Sequence, residues 1–222
     1  MSAEPKGGKM KPQETAGKVL DILAREYPDA RVTLDFRNPL ELLVATILAA
    51  QCTDERVNRV TKDLFRKYRS AADYAGADPK KFEAEIRPTG FFRNKARNII
   101  ACCRKIDSQF HGQVPRVLED LISLPGVGRK TANILLGNAF GKQALAVDTH
   151  VKRVTHRLGW AQSEDPNKIE FELMEIVPPQ RWTLACHQIV FHGRKVCLAK
   201  NPQCQVCPVE KLCPRMDVAE KK

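Results

Sequence analysis

The sequence of 222 residues is 43% hydrophobic and 28% charged, a balance that is typical of a globular protein and excludes a largely disordered chain. Its longest apolar run, residues 42–50 with Thr46 inside it, is far shorter than the about 20 residues that a membrane-spanning helix needs. The charged N-terminus lacks the apolar core of a secretory signal, so we expect a cytoplasmic protein without a membrane partner.

The net charge points to an acidic binding partner. The 37 Lys and Arg residues outnumber the 26 Asp and Glu residues, which gives a formal net charge of +11. Such an excess is typical of proteins that bind nucleic acid, an acidic membrane surface or an acidic protein. A generally basic surface without a specific partner would look the same, so charge favours nucleic acid without establishing it.

The first part of the chain predicts a tail followed by helices. Residues 1–13 are rich in Lys, Gly and Pro and show no periodicity, so we expect a disordered basic tail. Apolar residues at helical spacing predict a first helix at 14–26. Asn38 followed by Pro39 is typical of a helix start, and the apolar residues 42–50 behind this pair predict a buried helix.

The rest of the chain is also predicted to be helical. Asp-Pro pairs at 78–79 and 165–166 predict two helix starts, and an apolar stripe between Ala96 and Phe110 predicts another helix. The single strand-like segment, residues 144–147, is too short to build a sheet. We therefore predict an all-α fold of about ten helices.

Residues 121–136 predict a hairpin of two helices. Pro125 ends the first helix, and Gly126 and Gly128 permit positive φ angles or the close approach of another backbone. The second helix is expected to begin near Arg129, where unpaired N–H groups and the helix dipole favour an anion such as a phosphate. A plain turn would also use Pro and Gly, and the sequence alone leaves both interpretations open.

Two residues are candidates for chemistry. Lys130 lies at the positive end of the second hairpin helix, which favours the neutral amine, and a neutral amine is a nucleophile that can form a Schiff base. An ordinary phosphate contact is the alternative. Asp148 follows an apolar run and is expected to cap the next helix, which would fix its carboxylate where it can stabilise positive charge.

The C-terminal region contains half of the eight cysteines in the pattern C-x6-C-x2-C-x5-C. Four thiolates can hold either a zinc ion or a [4Fe–4S] cluster. Structural zinc sites usually use two close pairs, whereas only one pair is close here, so the spacing favours the cluster and leaves zinc open. The candidate ligands are Cys197, Cys204, Cys207 and Cys213.

Three motifs resemble the endonuclease III family, bifunctional DNA glycosylases and abasic-site (AP) lyases of the helix–hairpin–helix superfamily. They are LPGVGRKTA at 124–132, VDTH at 147–150 and the four-cysteine pattern, and the resemblance covers residues 17–215. It implies that Lys130 attacks the sugar C1′, that Asp148 assists departure of the base and that the cysteines bind a [4Fe–4S] cluster. It further implies removal of oxidised pyrimidines and β-elimination that cleaves the strand 3′ to the abasic site.

The resemblance also implies how DNA is held. Gln51, in the segment AQCTD, corresponds to the glutamine that fills the hole left by a flipped nucleotide, although without the resemblance it would be an ordinary surface residue. Phe91 stands where the family has an apolar wedge that is commonly leucine. His150 either faces the sugar or caps its own turn. The remaining expected DNA contacts are Gly126, Gly128, Arg129, Arg194 and Lys200.

The fold implied by the resemblance has two helical lobes, with the DNA and both catalytic residues between them. A six-helix barrel at 32–142 contains the helix–hairpin–helix at 116–137. The other lobe joins 14–31 to 143–222, with an iron–sulfur loop at 194–214. We expect a monomer that acts on double-stranded DNA with damaged bases or abasic sites, associated with the nucleoid in a bacterium.

Two alternatives differ in their chemistry. Adenine-DNA glycosylase relatives share the iron–sulfur cluster but lack a lysine at the position of Lys130. A non-catalytic helix–hairpin–helix module would explain the charge and the glycines, yet it would leave the joint presence of Lys130 and Asp148 a coincidence. The bifunctional glycosylase is therefore the favoured prediction.

Overall fold

All regular secondary structure in the computed structural model, which describes residues 12–218, is helical. The predicted all-α fold is confirmed, and residues 144–147 have no regular secondary structure. The predicted tail at 1–13 lies outside the described residues except for its last two positions, which begin the first helix. No helix within residues 12–218 is long and apolar enough to cross a membrane.

Eleven α-helices follow one another along the described residues, several of them starting where local capping signals predicted. They are α1 (Pro12–Glu26), α2 (Pro39–Leu48), α3 (Asp54–Lys67), α4 (Ala71–Ala75), α5 (Pro79–Ile86), α6 (Phe92–Gln109), α7 (Leu118–Ile122), α8 (Arg129–Ala139), α9 (Thr149–Arg157), α10 (Pro166–Ile176) and α11 (Trp182–Lys195). Short 3-10 helices lie at Arg87–Thr89, Pro179–Arg181, Cys204–Val206 and Glu210–Leu212.

The chain divides into two units. The hairpin unit, Val32–Ala144, contains α2 to α8. The cysteine unit consists of the described residues before Val32 and after Ala144, and it contains α1 and α9 to α11. Each unit has its own hydrophobic core, so the residues proposed for chemistry are held by two separate sets of packing contacts.

Helix α2 lies at the centre of the hairpin unit. Leu42, Leu43 and Leu48 are fully buried, as expected for a helix that is apolar on all sides. The Asn38 side chain accepts from the backbone N–H of Glu41 at 3.0 Å, which confirms the predicted N-cap. The helix ends at Leu48, two residues before the predicted end, because the chain then turns towards a left-handed residue at 51.

The core of the cysteine unit forms where α1, α9, α10 and α11 meet. Buried residues on it include Leu20, Leu23, Val151, Val154 and Ile189. Beyond α11 the described chain is irregular apart from two short 3-10 helices, and it returns to α9 where the N–H of Met216 donates to the carbonyl of Arg157 at 3.2 Å. The cysteine loop is therefore attached to the helix that begins after Asp148.

Candidate active site and cysteine centre

The two glycines of the hairpin have different reasons to be glycine. Gly126 has a φ angle of +77°, and a Cβ placed on it would lie 2.8 Å from the Cβ of Asn98 on α6. Gly128 has an ordinary φ of −89°, and a Cβ there would meet no atom within 4 Å. Only Gly126 uses the positive φ that the sequence suggested, whereas Gly128 leaves open space before α8.

Lys130 lies in the first turn of α8 and its side chain is exposed, while the neighbouring Arg129 is half-buried. The N-cap residue is Gly128, which has no side chain to satisfy the first N–H groups of the helix. This end of α8 can therefore accept an anion on its backbone. The exposure of Lys130 means that any desolvation of its amine has to come from a bound molecule.

A cavity of about 240 Å³ lies beside the hairpin, and three of the sequence-predicted residues line it. These are Gln51, Phe91 and Gly126, and Thr131 of α8 lines the same cavity directly after Lys130. Gln51 and Phe91 have φ angles of 53° and 47°, a left-handed conformation that non-glycine residues rarely adopt. Both side chains are exposed, so the structure presents them at one opening.

Asp148 is the N-cap of α9, as the sequence predicted. Its Oδ1 accepts from the backbone N–H groups of His150 at 2.8 Å and Val151 at 2.7 Å. Capping uses Oδ1 for both bonds and makes no use of Oδ2. The carboxylate is half-buried and oriented by the helix start, which is the fixed placement that electrostatic stabilisation of a substrate requires.

The imidazole of His150 faces α11 within the cysteine unit. Its Nδ1 lies 3.2 Å from Nη2 of Arg153, and a Cβ on Gly193 would lie only 3.1 Å from Nδ1. Burial lowers the pKa of His150, Arg153 and Arg194 act in the same direction, and Asp148 opposes them. The backbone of His150, rather than its ring, takes part in the cap.

The four candidate ligands of the C-terminal pattern line one cavity of about 30 Å³. Among residues 12–218, no three His, Cys, Asp or Glu side chains are arranged to hold a metal ion. All eight cysteines are free of disulfides. Burial raises the pKa of Cys207 to about 11, and Cys213, Cys197 and Cys204 act in the same direction because the thiols lie close together.

Hydrogen-bond donors surround this sulfur-lined cavity. Arg157 places Nη1 3.3 Å from Sγ of Cys197 and also donates to the carbonyls of Leu198 at 2.7 Å and Ala199 at 3.1 Å. Nε2 of His192 lies 3.6 Å from Sγ of Cys207. The donor types present, four thiols lining one cavity and a buried guanidinium beside them, are those that an anionic thiolate-ligated cluster uses.

His192 is almost fully buried between that cavity and α1. Its Nδ1 lies 3.2 Å from the hydroxyl oxygen of Tyr27, and burial lowers its pKa to about 4. The ring is therefore neutral at pH 7. Because a neutral imidazole carries a single N–H, the bond to Tyr27 and the contact with Cys207 together decide which ring nitrogen is the donor.

Comparison with known proteins identifies the family. The family model for "HhH-GPD superfamily base excision DNA repair protein" matches residues 44–179. Endonuclease III of Synechocystis sp. is 50% identical over 203 residues, covering 91% of this chain and 93% of that protein. The Escherichia coli K12 protein of the same name is 38% identical over 199 residues, covering 88% and 94%. The chain belongs to the endonuclease III family.

Solved structures support the same assignment to the endonuclease III family. A non-covalent endonuclease III–DNA complex is 46% identical with a TM-score of 0.87, covering 93% of this chain and 96% of that one. A trapped endonuclease III–DNA covalent intermediate is also 46% identical, with a TM-score of 0.88 and coverage of 93% and 97%. The protein is a base-excision DNA glycosylase and AP lyase, and the two alternatives are not favoured.

The remaining predicted DNA contacts are exposed cations beside the cysteine loop. Arg194 lies in the last turn of α11, three residues before Cys197, and Lys200 lies within the loop. Between them, Lys195 places Nζ 5.5 Å from the ring centroid of Tyr27, so this neighbouring lysine packs on an aromatic surface. In this endonuclease III family member, the loop thus carries a positively charged exposed edge.

Lys95 belongs to none of the motifs from which the site residues were predicted, yet it lies at the site. It lines the cavity beside the hairpin and is only 4% exposed. Nζ donates to the carbonyl of Leu48 at 2.8 Å and to that of Thr89 at 2.7 Å. Burial lowers the pKa of Lys95, and Cys52 acts in the opposite direction. The available signal was a lysine directly before Ala96, at the start of the apolar stripe of α6.

Proposed function

We propose that this protein removes oxidised pyrimidines from double-stranded DNA through a Schiff base formed by Lys130. The proposal rests mainly on the position of Lys130, which is exposed at the uncapped start of α8. The next residue, Thr131, lines the cavity at which Gln51 and Phe91 are exposed. The trapped covalent intermediate formed with DNA by a 46% identical relative supports a nucleophilic mechanism. We infer that the protein works in the cytoplasm, on the nucleoid of a bacterial cell.

In the proposed chemistry, the Lys130 amine acts first as the nucleophile and then as part of the imine from which β-elimination proceeds. Its nitrogen forms a bond to C1′ of the damaged nucleotide while the bond from C1′ to the base breaks, and the base leaves with a proton. The amine gives one of its two protons to the departing base and the other to O4′ as the bond from C1′ to O4′ breaks and the sugar ring opens, which leaves an imine between Nζ and C1′. Loss of a C2′ proton then breaks the bond from C3′ to the 3′ oxygen, so the strand is cleaved by β-elimination.

Asp148 is proposed to act in the first of these steps. Positive charge develops on the sugar as the base departs, and a fixed carboxylate stabilises that charge. Its orientation by two N–H groups at Oδ1 supports the assignment, because the group does not need to reorganise when the substrate reacts. We assign no proton transfer to His150, whose ring interacts with Arg153.

DNA binding is proposed to use backbone groups, cations and two inserted side chains. The uncapped N–H groups at the start of α8 would contact a phosphate, and the open space at Gly128 would let the strand approach. Arg129, Arg194 and Lys200 would add charge-assisted phosphate contacts. Gln51 would occupy the space of the flipped nucleotide, with Phe91 stacking as a wedge.

The four cysteines are proposed to hold a [4Fe–4S] cluster. The cluster would cross-link an irregular segment of low apolar content, and cleavage of a glycosidic bond requires no electron from it. Arg157 and His192 would donate to the ligating sulfurs of Cys197 and Cys207. The loop that carries Lys200 would then be held on the helix that starts at Asp148.

Borohydride trapping tests the nucleophile. Wild-type protein is expected to form a reduced covalent adduct with an abasic duplex and to cleave a duplex containing thymine glycol, with little action on adenine opposite 8-oxoguanine. Lys130→Ala should bind without trapping or cleavage. Lys80→Ala is a matched control, because Lys80 is exposed at the same second position of α5. An adduct retained by Lys130→Ala would place the nucleophile elsewhere.

A further inference from the structure

We propose that Lys95 is a positioning residue for two segments: residues 49–52 after α2 (the Gln51 turn) and residues 90–91 before α6 (the Phe91 turn). Lys95 holds these two turns in the arrangement needed to enter DNA. The inference rests on the proposed function, since it concerns the two side chains assigned to fill and wedge the duplex. A single ammonium group joins two segments that are far apart in the chain. Burying an ammonium group is unfavourable because the group loses its hydration, and the two bonds give a structural reason for its presence here.

The two acceptors of Lys95 are the last carbonyls before the two turns. Leu48 is the final residue of α2, and its carbonyl precedes Gln51 by three residues. Thr89 is the final residue of the 3-10 helix, and its carbonyl precedes Phe91 by two residues. Carbonyls at helix ends have no partner within the helix, so a bound ammonium also fixes where each helix stops.

In each turn, the residue whose side chain faces the cavity has a strained backbone conformation. Gln51 and Phe91 have φ angles of 53° and 47°, a backbone conformation that is unfavourable for non-glycine residues and persists only where the surrounding structure imposes it. Backbone strain of this kind concentrates at functional sites. Here the two strained residues line one cavity of about 240 Å³, and Lys95 lines its wall.

Stability alone is a weak explanation for this lysine. It lies at the start of the apolar stripe of α6, where a hydrophobic residue of similar volume would fill the space without the desolvation of an ammonium. An apolar side chain, however, could not hold Leu48 and Thr89 together. Because long-range hydrogen bonds specify a geometry, we expect loss of the ammonium to change the relation between the turns.

Lys95→Met tests the proposal because it keeps the volume and removes the donors. Cleavage of an abasic site should fall by about 10-fold or more in duplex DNA, where misplaced groups are costly, and by less than about twofold in a single strand, which has no opposite base to replace. In a duplex with 2-aminopurine opposite a tetrahydrofuran site, the fluorescence change on binding should fall to the level of Gln51→Ala. Equal losses on duplex and single-stranded DNA would overturn the proposal.

Two further variants make the result specific. Arg104→Met removes a bond from α6 to the last carbonyl of another helix, Ala75, away from the cavity, and should leave the duplex-to-single-strand ratio unchanged. If Lys95→Met does not fold, Lys95→Gln is the second variant, because its uncharged amide lies one bond nearer the backbone and cannot bridge both carbonyls. It is expected to show a reduced ratio, and an unchanged ratio would refute the positioning role of the ammonium. Failure of the proposed function is distinct, because wild-type protein would then give no adduct on either substrate.

Discussion

Arg153 donates to the carbonyl oxygen of Cys197 from both Nε, at 3.1 Å, and Nη2, at 3.0 Å. These bonds join α9, which begins after Asp148, to the first cysteine of the C-terminal pattern. Nη2 also donates to the carbonyl of Gly193 at 2.8 Å. A disturbance of the cysteine loop is therefore expected to reach the helix that orients the proposed catalytic carboxylate.

Iron content and loop order should depend on the cysteines. Protein purified without oxygen is expected to contain about four iron atoms per chain and to be yellow-brown. Cys204→Ser should lose the visible colour and weaken binding to an abasic duplex, because the loop carrying Lys200 is no longer held. Cys102→Ser is the control, since this buried thiol lies in α6 outside the pattern. Stoichiometric zinc without iron would contradict the cluster.

Alanine substitutions at the two hairpin glycines should differ in their effects on stability and on DNA binding. Gly126→Ala is expected to lower the free energy of unfolding by more than about 1 kcal/mol, because it combines a positive φ with a contact on Asn98. Gly128→Ala should change stability by less than about 0.5 kcal/mol, since its Cβ meets nothing in the protein. It should nevertheless weaken DNA binding, measured by fluorescence anisotropy. Unaltered affinity in Gly128→Ala would argue against strand contact at this position.

Asp148→Asn should slow base release more than it slows strand cleavage at an abasic site. Asparagine retains an Oδ1 acceptor and caps helices as well as aspartate does, so the variant removes charge while keeping the start of α9. Base release from a thymine glycol duplex should slow by about 10²–10³-fold, with a smaller effect on cleavage of an abasic duplex. Asp165→Asn, at the N-cap of α10, controls for the cap. Equal slowing on both substrates would refute the assignment of Asp148 to the base-release step.

Binding should weaken steeply with salt. Removing a side chain that neutralises one phosphate should reduce the slope of log affinity against log salt concentration by about 0.9 on duplex DNA. We expect this reduction for Arg194→Ala and for Lys200→Ala, measured by titrations at several ionic strengths. The exposed Lys168 on α10 serves as the control. An unchanged slope in either variant would show that the residue carries only solvated surface charge.

Much of the local structure follows from the sequence because its causes are local. Asn38 before Pro39, and Asp148 before α9, satisfy helix N–H groups within three residues, so the predicted starts of these helices are observed. The hairpin break before Arg129 likewise follows from nearby Pro and Gly. The motifs were sufficient to identify the family, because their residue types and spacing occur together in one chain.

Only the tertiary structure distinguishes residues whose roles depend on distant neighbours. Lys95 and Leu48 are 47 positions apart, and Arg153 and Cys197 are 44 positions apart. Gly126 needs its small size because Asn98 packs against it, whereas Gly128 in the same motif does not. Periodicity and capping rules describe a residue within its own helix; such contacts arise when separate helices pack, and for this reason the sequence alone did not reveal them.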